Sequence, residues 1–389
     1  MNGKDSFLGY RRPDGRVGVR NLVAVIPSCA CAHHAASLIA SRVPGTALLD
    51  YNGGCGETQA DIDLATALLA QYGRHPNLVG SLVVSLGCET LNATDLAQRI
   101  ASGYAPTELL VIQKSGGTRR TAEEGAALAE QMVARARTLQ REPCPASALT
   151  IGLECGGSDA TSGMAANPAM GAFSDLMVAQ DARVILAETS ELLGAEHILI
   201  KRARTAEVGE RLLRTMEQCE RALKATGEDF MGKQPSPGNV RGGITTVEEK
   251  ALGDVLKGGT TPVVDVLSYG QPPMRSGLSF MDTPGNDPSS VTGLVAAGSQ
   301  IVVFTTGRGN PMGHAIAPVI KVTGNARTYA VMGEDMDINA STIILGAETV
   351  AQVGRRLYEF CLHVAAGQPT AAEALAHHEF KMLRYGPIY

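Results

Sequence analysis

The chain has 389 residues, of which 44% are hydrophobic and 19% are charged, with a formal net charge of −5. This apolar content excludes intrinsic disorder, and a length well above the roughly 100 to 200 residues of one domain predicts two compact units. The 34 basic and 39 acidic residues are spread along the chain, which argues against a nucleic-acid-binding or anionic-membrane-binding surface. A small diffusible substrate fits this composition better.

No apolar stretch approaches the ~20 residues of a membrane span, and charged residues stand where a signal peptide needs its apolar region. We therefore expect a cytoplasmic protein without membrane contacts. In a reducing compartment the eight cysteines are expected to be free thiols, and those on loops are candidate metal ligands or reactive thiols. The 44 glycines follow no repeating period and predict many tight loops.

Short β-branched or leucine-rich runs alternate with longer alanine-rich segments in the first half of the chain. The predicted strands cover residues 22–27, 46–50, 82–86 and 109–112. The predicted helices include residues 35–41, 60–72 and 122–139. This alternation is typical of βαβ units and predicts α/β architecture with doubly wound, mostly parallel, Rossmann-like sheets.

Two prolines interrupt the helical pattern at residues 142–147, and a new strand is predicted at residues 148–153. We therefore predict one α/β domain over residues 1–145 and a second over residues 146–389. The remaining predicted strands are 184–187, 263–267, 278–282, 300–305 and 319–322, and the predicted helices include 207–225 and 350–366. Ligands of parallel sheets bind beyond the carboxyl ends of the strands, so the loops at those ends are the candidate site.

Cysteines mark the strand-end loops of the first predicted domain. Cys55 lies between two glycines, Cys88 precedes Glu89, and Cys29 and Cys31 follow the first predicted strand. Thiolate and carboxylate groups from separate loops can bind a transition metal together. The alternative is that these cysteines are small buried hydrophobic residues.

A candidate anion-binding turn opens the second predicted domain, where Gly156, Gly157, Ser158 and Asp159 follow Cys155. The free amides of a Gly-Gly turn at a helix start can bind a carboxylate or phosphate. The alternative is a tight turn in which Ser158 or Asp159 caps the helix, and both roles can coexist.

Later loops supply candidates for proton transfer and substrate binding. Glu188 follows a predicted strand and is a candidate general base or metal ligand. Arg308 lies between glycines close to Thr306, which suits bidentate binding of a carboxylate, and its alternative role is a surface charge. His314 and Lys321 are candidates to exchange protons with an acidic substrate.

Several motifs are long enough to be specific. They are Gly9-Tyr10-Arg11-Arg12-Pro13-Asp14-Gly15-Arg16, Gly54-Cys55-Gly56, Leu86-Gly87-Cys88-Glu89, Cys155-Gly156-Gly157-Ser158-Asp159, Met281-Asp282-Thr283-Pro284-Gly285, Phe304-Thr305-Thr306-Gly307-Arg308-Gly309 and Asp335-Met336-Asp337-Ile338-Asn339. Together they resemble the large-subunit region of altronate and galactarate dehydratases over about residues 9–385.

The resemblance implies a hydro-lyase that removes water from a sugar acid, such as altronate or galactarate, to give a 2-keto-3-deoxy acid. It also implies a divalent metal, usually iron or manganese. Members of the family carry a small SAF-type domain, fused or as a separate subunit. This chain begins at the large-subunit motif, so we expect a separately encoded small SAF-domain subunit and an oligomeric assembly.

On the basis of the resemblance and the strand-end loops, we expect metal binding at Cys55, Cys88 and Cys155, with Glu89 as a further ligand. Fe²⁺ is the expected ion and Mn²⁺ is the alternative. Thiolate ligation suits a mononuclear iron and an iron–sulfur cluster alike, so both stay open.

Elimination from a 2-hydroxy acid removes a weakly acidic proton beside the carboxylate, and we expect Glu188, His314 or Lys321 to transfer it. Residues 310–318 depart from the dehydratase pattern, because a thiol is lost and the imidazole of His314 is gained. This departure leaves the identity of the sugar acid open. Two alternative functions are a lyase on another 2-hydroxy acid, as in the related sulfolactate sulfo-lyase large subunit, and a non-catalytic scaffold subunit.

Overall fold

A computed structural model of the chain describes residues 5–389. Numbered in chain order, its strands are β1 (Ser6–Arg11), β2 (Val17–Gly18), β3 (Leu22–Pro27), β4 (Thr46–Leu48), β5 (Leu78–Ser85), β6 (Thr107–Val111), β7 (Glu142–Pro145), β8 (Thr150–Cys155), β9 (Arg183–Leu186), β10 (Val263–Leu267), β11 (Gly277–Met281), β12 (Ile301–Thr306), β13 (Val319–Thr323) and β14 (Ile338–Asn339). The mixed α/β architecture with parallel sheets confirms the predicted fold class.

The helices connect these strands. In chain order they are α1 (Ala30–Arg42), α2 (Gln59–Gly73), α3 (Ala93–Ala101), α4 (Ile112–Ser115), α5 (Thr118–Thr138), α6 (Asn167–Ala179), α7 (Glu196–Lys201), α8 (Ala206–Ala225), α9 (Phe230–Lys233), α10 (Pro237–Arg241), α11 (Val247–Val255), α12 (Asp287–Ala296), α13 (Ala326–Val331), α14 (Ser341–Ile344), α15 (Val350–Ala365) and α16 (Ala371–Ala374). Across residues 5–389, no helix has the length and apolar character needed to cross a membrane.

The chain divides into two compact units. The large unit consists of the segment up to Phe7, Pro145–Gly313 and Pro318–His377. The small unit consists of Leu8–Cys144, His314–Ala317 and His378–Tyr389. We predict that residues 146–389 form the second domain, whereas His314–Ala317 and His378–Tyr389 belong to the small unit in the structure. Short segments of this kind do not differ in composition from their neighbours, so the sequence does not reveal to which unit they belong.

The small unit contains a four-stranded parallel sheet in the order β4-β3-β5-β6. Val23 and Val25 of β3 pack with Leu82 of β5 in a core that also contains Ile39 of α1 and Val133 of α5. Strand β3 has the predicted bounds, since its apolar run is continuous and ends at a proline. Because the strands are parallel, the loops after β3 and β5 emerge at the same edge of the sheet.

The large unit contains a seven-stranded sheet in the order β10-β11-β9-β8-β12-β13-β14, with parallel pairing throughout. Every residue of the central strands β8 and β12 is buried, as expected for a sheet covered on both faces. The chain adds β9 on one side of β8 and later adds β12 on the other. Such a change of side opens a crevice at the carboxyl ends of the strands, where ligands of open α/β sheets bind.

A third sheet, in the order β2-β1-β7, was not predicted. A domain boundary is predicted at the residues of β7, because two prolines interrupt the helical pattern there. Strand β7 lies at the edge of the sheet, where proline is tolerated because fewer backbone N–H groups are needed for pairing.

Candidate active site

Three carboxylates from separate elements of the large unit form an acidic cluster, the name we give to Glu154, Glu188 and Asp287. Each offers one oxygen that lies within 4.8 Å of the corresponding oxygens of the other two. Glu154 belongs to β8, Glu188 lies just after β9, and Asp287 begins α12. Strands β8 and β9 are parallel neighbours, so the first two carboxylates reach the same edge of the sheet.

Glu154 is fully buried, and only one of its oxygens is satisfied by the protein. Ser290 Oγ donates to Oε2 at 2.6 Å, whereas Oε1 has no hydrogen-bond partner among residues 5–389. Burial, followed by repulsion from Glu188, raises the pKa of Glu154 well above its usual range. A buried carboxylate in this state is costly as an anion unless a cation or a further donor approaches it.

Glu188 is fixed by an ion pair of its carboxylate and by hydrogen bonds to both its side chain and its backbone N–H. Lys257 Nζ lies 2.5 Å from Glu188 Oε2, and both side chains are at most 1% exposed. The same oxygen accepts the backbone N–H of Cys155 at 2.9 Å. Glu188 has a φ of 74°, a left-handed conformation that non-glycine residues rarely adopt, and its N–H donates to Thr283 Oγ1 at 2.7 Å. Such strained residues are concentrated at functional sites.

Asp287 closes the cluster from the start of α12. Asn310 Nδ2 donates to its Oδ2 at 2.7 Å. Burial raises the pKa of Asp287 to about 6, repulsion from Glu188 adds to this, and attraction to Lys321 opposes it. A Cβ atom at Gly156 would overlap the Asp287 carboxylate, so glycine is required there for the close approach of the two loops.

A buried thiol links the acidic cluster to a fourth carboxylate. Cys155 Sγ donates to Asp254 Oδ1 at 3.2 Å and accepts from Lys257 Nζ at 3.1 Å. Burial, followed by repulsion from Asp254 and Glu188, raises the pKa of Cys155 well above its usual range. Burial lowers the pKa of Lys257, but attraction to the surrounding acidic groups outweighs it and raises that pKa. Cys155 is therefore a neutral hydrogen-bond donor beside an ammonium ion.

The other three predicted metal ligands lie in the small unit. Cys55 and Cys88 are exposed thiols. The carboxylate of Glu89 accepts from Ser28 Oγ at 2.5 Å and from Ser85 Oγ at 2.6 Å, which stabilises the loop after β5. Metal binding by these three residues together with the thiol of the large unit stays a prediction.

Of the three predicted proton-transfer residues, Glu188 belongs to the acidic cluster of the large unit. Lys321 also lies in the large unit, and His314 lies in the small unit. His314 is buried in the small unit, where its ring stacks on Tyr72 with centroids 5.7 Å apart and its Nδ1 accepts from Ile316 N at 3.2 Å. Burial lowers the pKa of His314 to about 3, so the ring is neutral near pH 7. Lys321 is buried in β13 of the large unit, with Nζ 3.5 Å from the ring centre of Phe304.

The predicted anion-binding turn joins two strand-end loops. The carbonyl of Gly157 accepts the N–H of Arg308 at 2.8 Å, which ties the loop after β8 to the loop after β12. Asp159 Oδ1 accepts from Thr161 N at 2.9 Å, as a capping residue does. Thr306 Oγ1 accepts from a backbone N–H within its own loop, and Arg308 is exposed. Substrate binding by these residues stays a prediction.

Sequence reasoning missed Glu154, Asp287 and Lys257. Glu154 directly precedes the motif that begins at Cys155, and its place at the end of a predicted strand was the available signal. Asp287 resembles an ordinary acidic residue in the first turn of a helix. Lys257 lies 102 residues from Cys155 in a short turn after α11, and nothing local predicts their contact.

Known protein families and individual proteins match this chain over nearly its whole length. The family model described as D-galactarate/Altronate dehydratase, C-terminal, matches residues 146–388, and that described as D-galactarate dehydratase/Altronate hydrolase, second domain, matches residues 9–137. Galactarate dehydratase (L-threo-forming) of Escherichia coli strain K12 is 38% identical, over 93% of this chain and 73% of its own. Altronate dehydratase of Bacillus subtilis strain 168 is 35% identical, over 94% and 75%. The (2R)-sulfolactate sulfo-lyase subunit beta of Chromohalobacter salexigens is 36% identical, over 97% of both chains.

Proposed function

Because this chain belongs to the D-galactarate/altronate dehydratase family and is a carbon–oxygen lyase, we propose that it dehydrates an aldonate or aldarate to a 2-keto-3-deoxy acid. Galactarate and altronate, named in its relatives, are the first substrates to test. The observation that carries the proposal is the acidic cluster, in which three carboxylates meet beside buried lysines at strand ends of the large unit.

The reaction needs a base and a means of stabilising negative charge. It breaks the C–H bond beside the carboxylate and the C–O bond on the next carbon, and one water leaves. The resulting enol becomes the 2-keto-3-deoxy acid when a proton returns to the carbon that lost the hydroxyl. Because the first proton is weakly acidic, charge on the substrate carboxylate must be stabilised as the proton is removed.

The donor set of the acidic cluster fits a divalent cation. Its carboxylate oxygens are hard ligands, and the buried Glu154 Oε1 has no partner within the described part of the chain. Glu154 and Asp287 would hold the ion, which we propose to be Mn²⁺ or Fe²⁺. When bound, such an ion stabilises charge on the substrate and polarises the leaving hydroxyl.

The remaining charged groups are proposed to move protons. Glu188 would accept the proton beside the substrate carboxylate, since Lys257 and Cys155 hold one of its oxygens and so fix the side chain. Lys321, which acts electrostatically on Asp287 from β13, would supply the proton that leaves with the hydroxyl. The neutral, stacked His314 has no part in this scheme.

The test separates metal binding from turnover. We expect Glu154→Gln to weaken Mn²⁺ binding about tenfold or more, because a charged ligand is lost, whereas Glu188→Gln retains the ion and loses formation of 2-keto acid. Cys55→Ser and Cys88→Ser are the matched controls, and we expect them to bind Mn²⁺ as the wild type does. Undiminished Mn²⁺ binding by Glu154→Gln, with loss in the thiol variants, would move the metal site to the predicted cysteines.

A second candidate function is elimination of sulfite from sulfolactate. The specific observation in its favour is that the sulfo-lyase relative aligns over 97% of its own length, against 73% to 77% for the dehydratases. Release of sulfite from (2R)-sulfolactate, without 2-keto acid from any aldonate or aldarate, would decide for this candidate. A non-catalytic scaffold function does not explain why three mutually repelling carboxylates lie together in the acidic cluster.

We also propose a small SAF-domain subunit as the partner of this chain. The support is the family resemblance and the name of the sulfo-lyase relative, which describes one subunit of an enzyme with several. Affinity purification of the tagged chain from its native host should recover a small protein in a fixed ratio. Full dehydratase activity of the chain by itself would contradict this part of the proposal.

A further inference from the structure

Two buried hydroxyl groups of the large unit connect the proposed base to a carboxylate of the proposed metal site, and no step of the reaction above uses them. The backbone N–H of Glu188 donates to Thr283 Oγ1 at 2.7 Å, and Thr283 Oγ1 lies 3.0 Å from Ser290 Oγ. Ser290 Oγ in turn donates to Glu154 Oε2 at 2.6 Å. All four residues are at most 3% exposed, so bulk water does not compete for these hydrogen bonds. We call the side chains of Thr283 and Ser290 the hydroxyl bridge.

The direction of each hydrogen bond in the hydroxyl bridge is set by its carboxylate end. As an ionised metal ligand Glu154 can only accept, so Ser290 gives its single hydroxyl hydrogen to it. Thr283 is then the donor between the two hydroxyls, and its oxygen accepts the N–H of Glu188. Each hydrogen bond polarises the next, so the bridge acts as a unit rather than as three separate contacts.

The loops that carry Glu188 and Thr283 are held side by side. They follow the parallel neighbours β9 and β11. The N–H of Thr189 donates to the carbonyl of Thr283 at 3.0 Å, and the N–H of Thr283 donates to Thr189 Oγ1 at 3.2 Å. Thr189 Oγ1 donates to Asp282 Oδ1 at 2.6 Å. The motif that begins at Met281 therefore fixes the loop after β9.

The backbone of Glu188 needs this support because it is strained. Its φ of 74° is a left-handed conformation that costs free energy for a residue with a side chain. Such a conformation persists only where the surrounding structure holds it. The hydrogen bond from its N–H to Thr283 is one constraint, and the contacts of its carboxylate with Lys257 and Cys155 are further ones. Loss of the Thr283 hydroxyl would therefore release the backbone of the base.

Ser290 reaches Glu154 from the helix that also carries Asp287 of the acidic cluster. Ser290 and Asp287 are three positions apart in α12, so they lie on the same face of the helix. Glu154 Oε1 has no hydrogen-bond partner within residues 5–389, so the hydrogen bond from Ser290 to Oε2 orients this carboxylate. The hydroxyl bridge thereby constrains a proposed metal ligand and the proposed base together.

We propose that Thr283 is a positioning residue of the lyase. Through the hydroxyl of Ser290 it couples the placement of the base, Glu188, to that of the metal ligand Glu154. Removal of the groups that orient metal ligands typically lowers metal affinity or activity about 10- to 100-fold. This inference rests on the lyase function and the metal site proposed above, and it adds to them a residue that acts through both carboxylates.

The first test separates the hydroxyl of Thr283 from its shape. Thr283→Val removes the hydroxyl, so we expect kcat for 2-keto acid formation to fall about tenfold or more and the Kd of Mn²⁺ to rise several-fold. Thr283→Ser keeps the hydroxyl, and both values should stay within about twofold of the wild type. Calorimetry gives the Kd, and kcat is measured at saturating Mn²⁺, in both cases on protein purified with its partner.

The matched control is Thr292→Val, the same substitution at another buried threonine of the large unit. The hydroxyl of Thr292 donates to the carbonyl of Pro288 within α12, away from the hydroxyl bridge. We expect this variant to change neither kcat nor the Kd of Mn²⁺. Unchanged values in Thr283→Val, or a Thr283→Ser as impaired as Thr283→Val, would overturn the proposal, because the hydroxyl would then not be the group that matters.

A second test asks whether the two hydroxyls act as one unit. Ser290→Ala removes the donor to Glu154, so we expect the Kd of Mn²⁺ to rise about tenfold. The double variant Thr283→Val with Ser290→Ala should bind Mn²⁺ about as Ser290→Ala does, because the bridge is already broken. Fold-changes that multiply in the double variant would show that the two residues act independently, and would overturn the coupling.

Failure of the underlying function gives a different result. If the wild type bound Mn²⁺ but formed no 2-keto acid from any aldonate or aldarate, the dehydratase function would be rejected, and the Mn²⁺ series would still decide whether Thr283 positions Glu154. If Glu154→Gln bound Mn²⁺ as the wild type does, the metal site would lie elsewhere, and the coupling would be rejected with it.

Discussion

At the scale of single residues, the most informative side chain is Glu188, because three independent features constrain it. It has a left-handed backbone conformation, an ion pair with Lys257, and a backbone donor from Cys155. The sequence placed Glu188 at a strand end as a candidate base, but it did not reveal the buried lysine that balances its charge.

The Lys257–Glu188 pair yields a stability prediction. Lys257→Met leaves a buried carboxylate without its cation, so we expect the free energy of unfolding to fall by about 3 to 5 kcal/mol in urea denaturation. The double variant Lys257→Met with Glu188→Gln should recover much of this loss, because no unpaired charge remains. Equal stability of the single and double variants would show that the ion pair is not the source of the effect.

His314 yields a prediction for pH dependence. Burial lowers the pKa of His314 from its ordinary value of 6.5 to about 3 in the folded protein. At a pH below 6.5 the unfolded chain therefore binds a proton at this residue, and the folded protein does not. Stability is therefore lost as the pH falls below 6.5, and between pH 6.5 and 5 the loss is about 2 kcal/mol. We expect His314→Gln to lack this share of the acid sensitivity in urea titrations at the two pH values. Identical pH dependence in wild type and variant would contradict the buried neutral state.

At the scale of elements, the site depends on where strands end and helices begin. Glu154 and Cys155 are the last residues of β8, and Asp287 is the first of α12. Helix α12 packs directly on β8, α6 packs on the neighbouring strand β9, and α15 packs on α6, where a Cβ atom at Gly354 would overlap Ala172. The positions of the carboxylates at these element ends therefore depend on the stability of the helices that pack on the sheet.

Helix α15 offers a test of this support. The Thr349 side chain accepts from Gln352 N, and the Gln352 side chain accepts from Thr349 N, which together form a capping box. Thr349→Ala should lower the free energy of unfolding by about 1 kcal/mol, and Thr349→Ser should be close to wild type. An effect of Thr349→Ser as large as that of Thr349→Ala would mean that the methyl group, and not the cap, stabilises the helix.

At the scale of the whole molecule, the division into two compact units predicts unfolding that is not two-state. If the acidic cluster binds Mn²⁺, the ion stabilises the large unit alone, by about 2.7 kcal/mol at one hundred times its Kd. Calorimetry should then show one transition that moves to higher temperature with Mn²⁺ and one that does not. With Glu154→Gln the shift of the first transition at the same Mn²⁺ concentration should fall to about half or less, because the ion binds at least about tenfold more weakly. A shift of both transitions would contradict a site confined to the large unit.

The sequence by itself determined the α/β class, the strand-end loops and the family, because these depend on local periodicity and on short motifs. It also identified Glu188, Lys321 and Cys155 as residues of interest, since each lies in or directly after a recognisable strand. The pairing of Cys155 with Lys257 and Asp254 was decided only by the tertiary structure. Contacts between residues about 100 positions apart depend on how helices pack over the sheet, and no local pattern records that packing. For the same reason the sequence predicts metal binding by cysteines, whereas the tertiary structure brings together the three carboxylates of the acidic cluster. The two sets of residues are therefore alternative metal sites that experiment can distinguish.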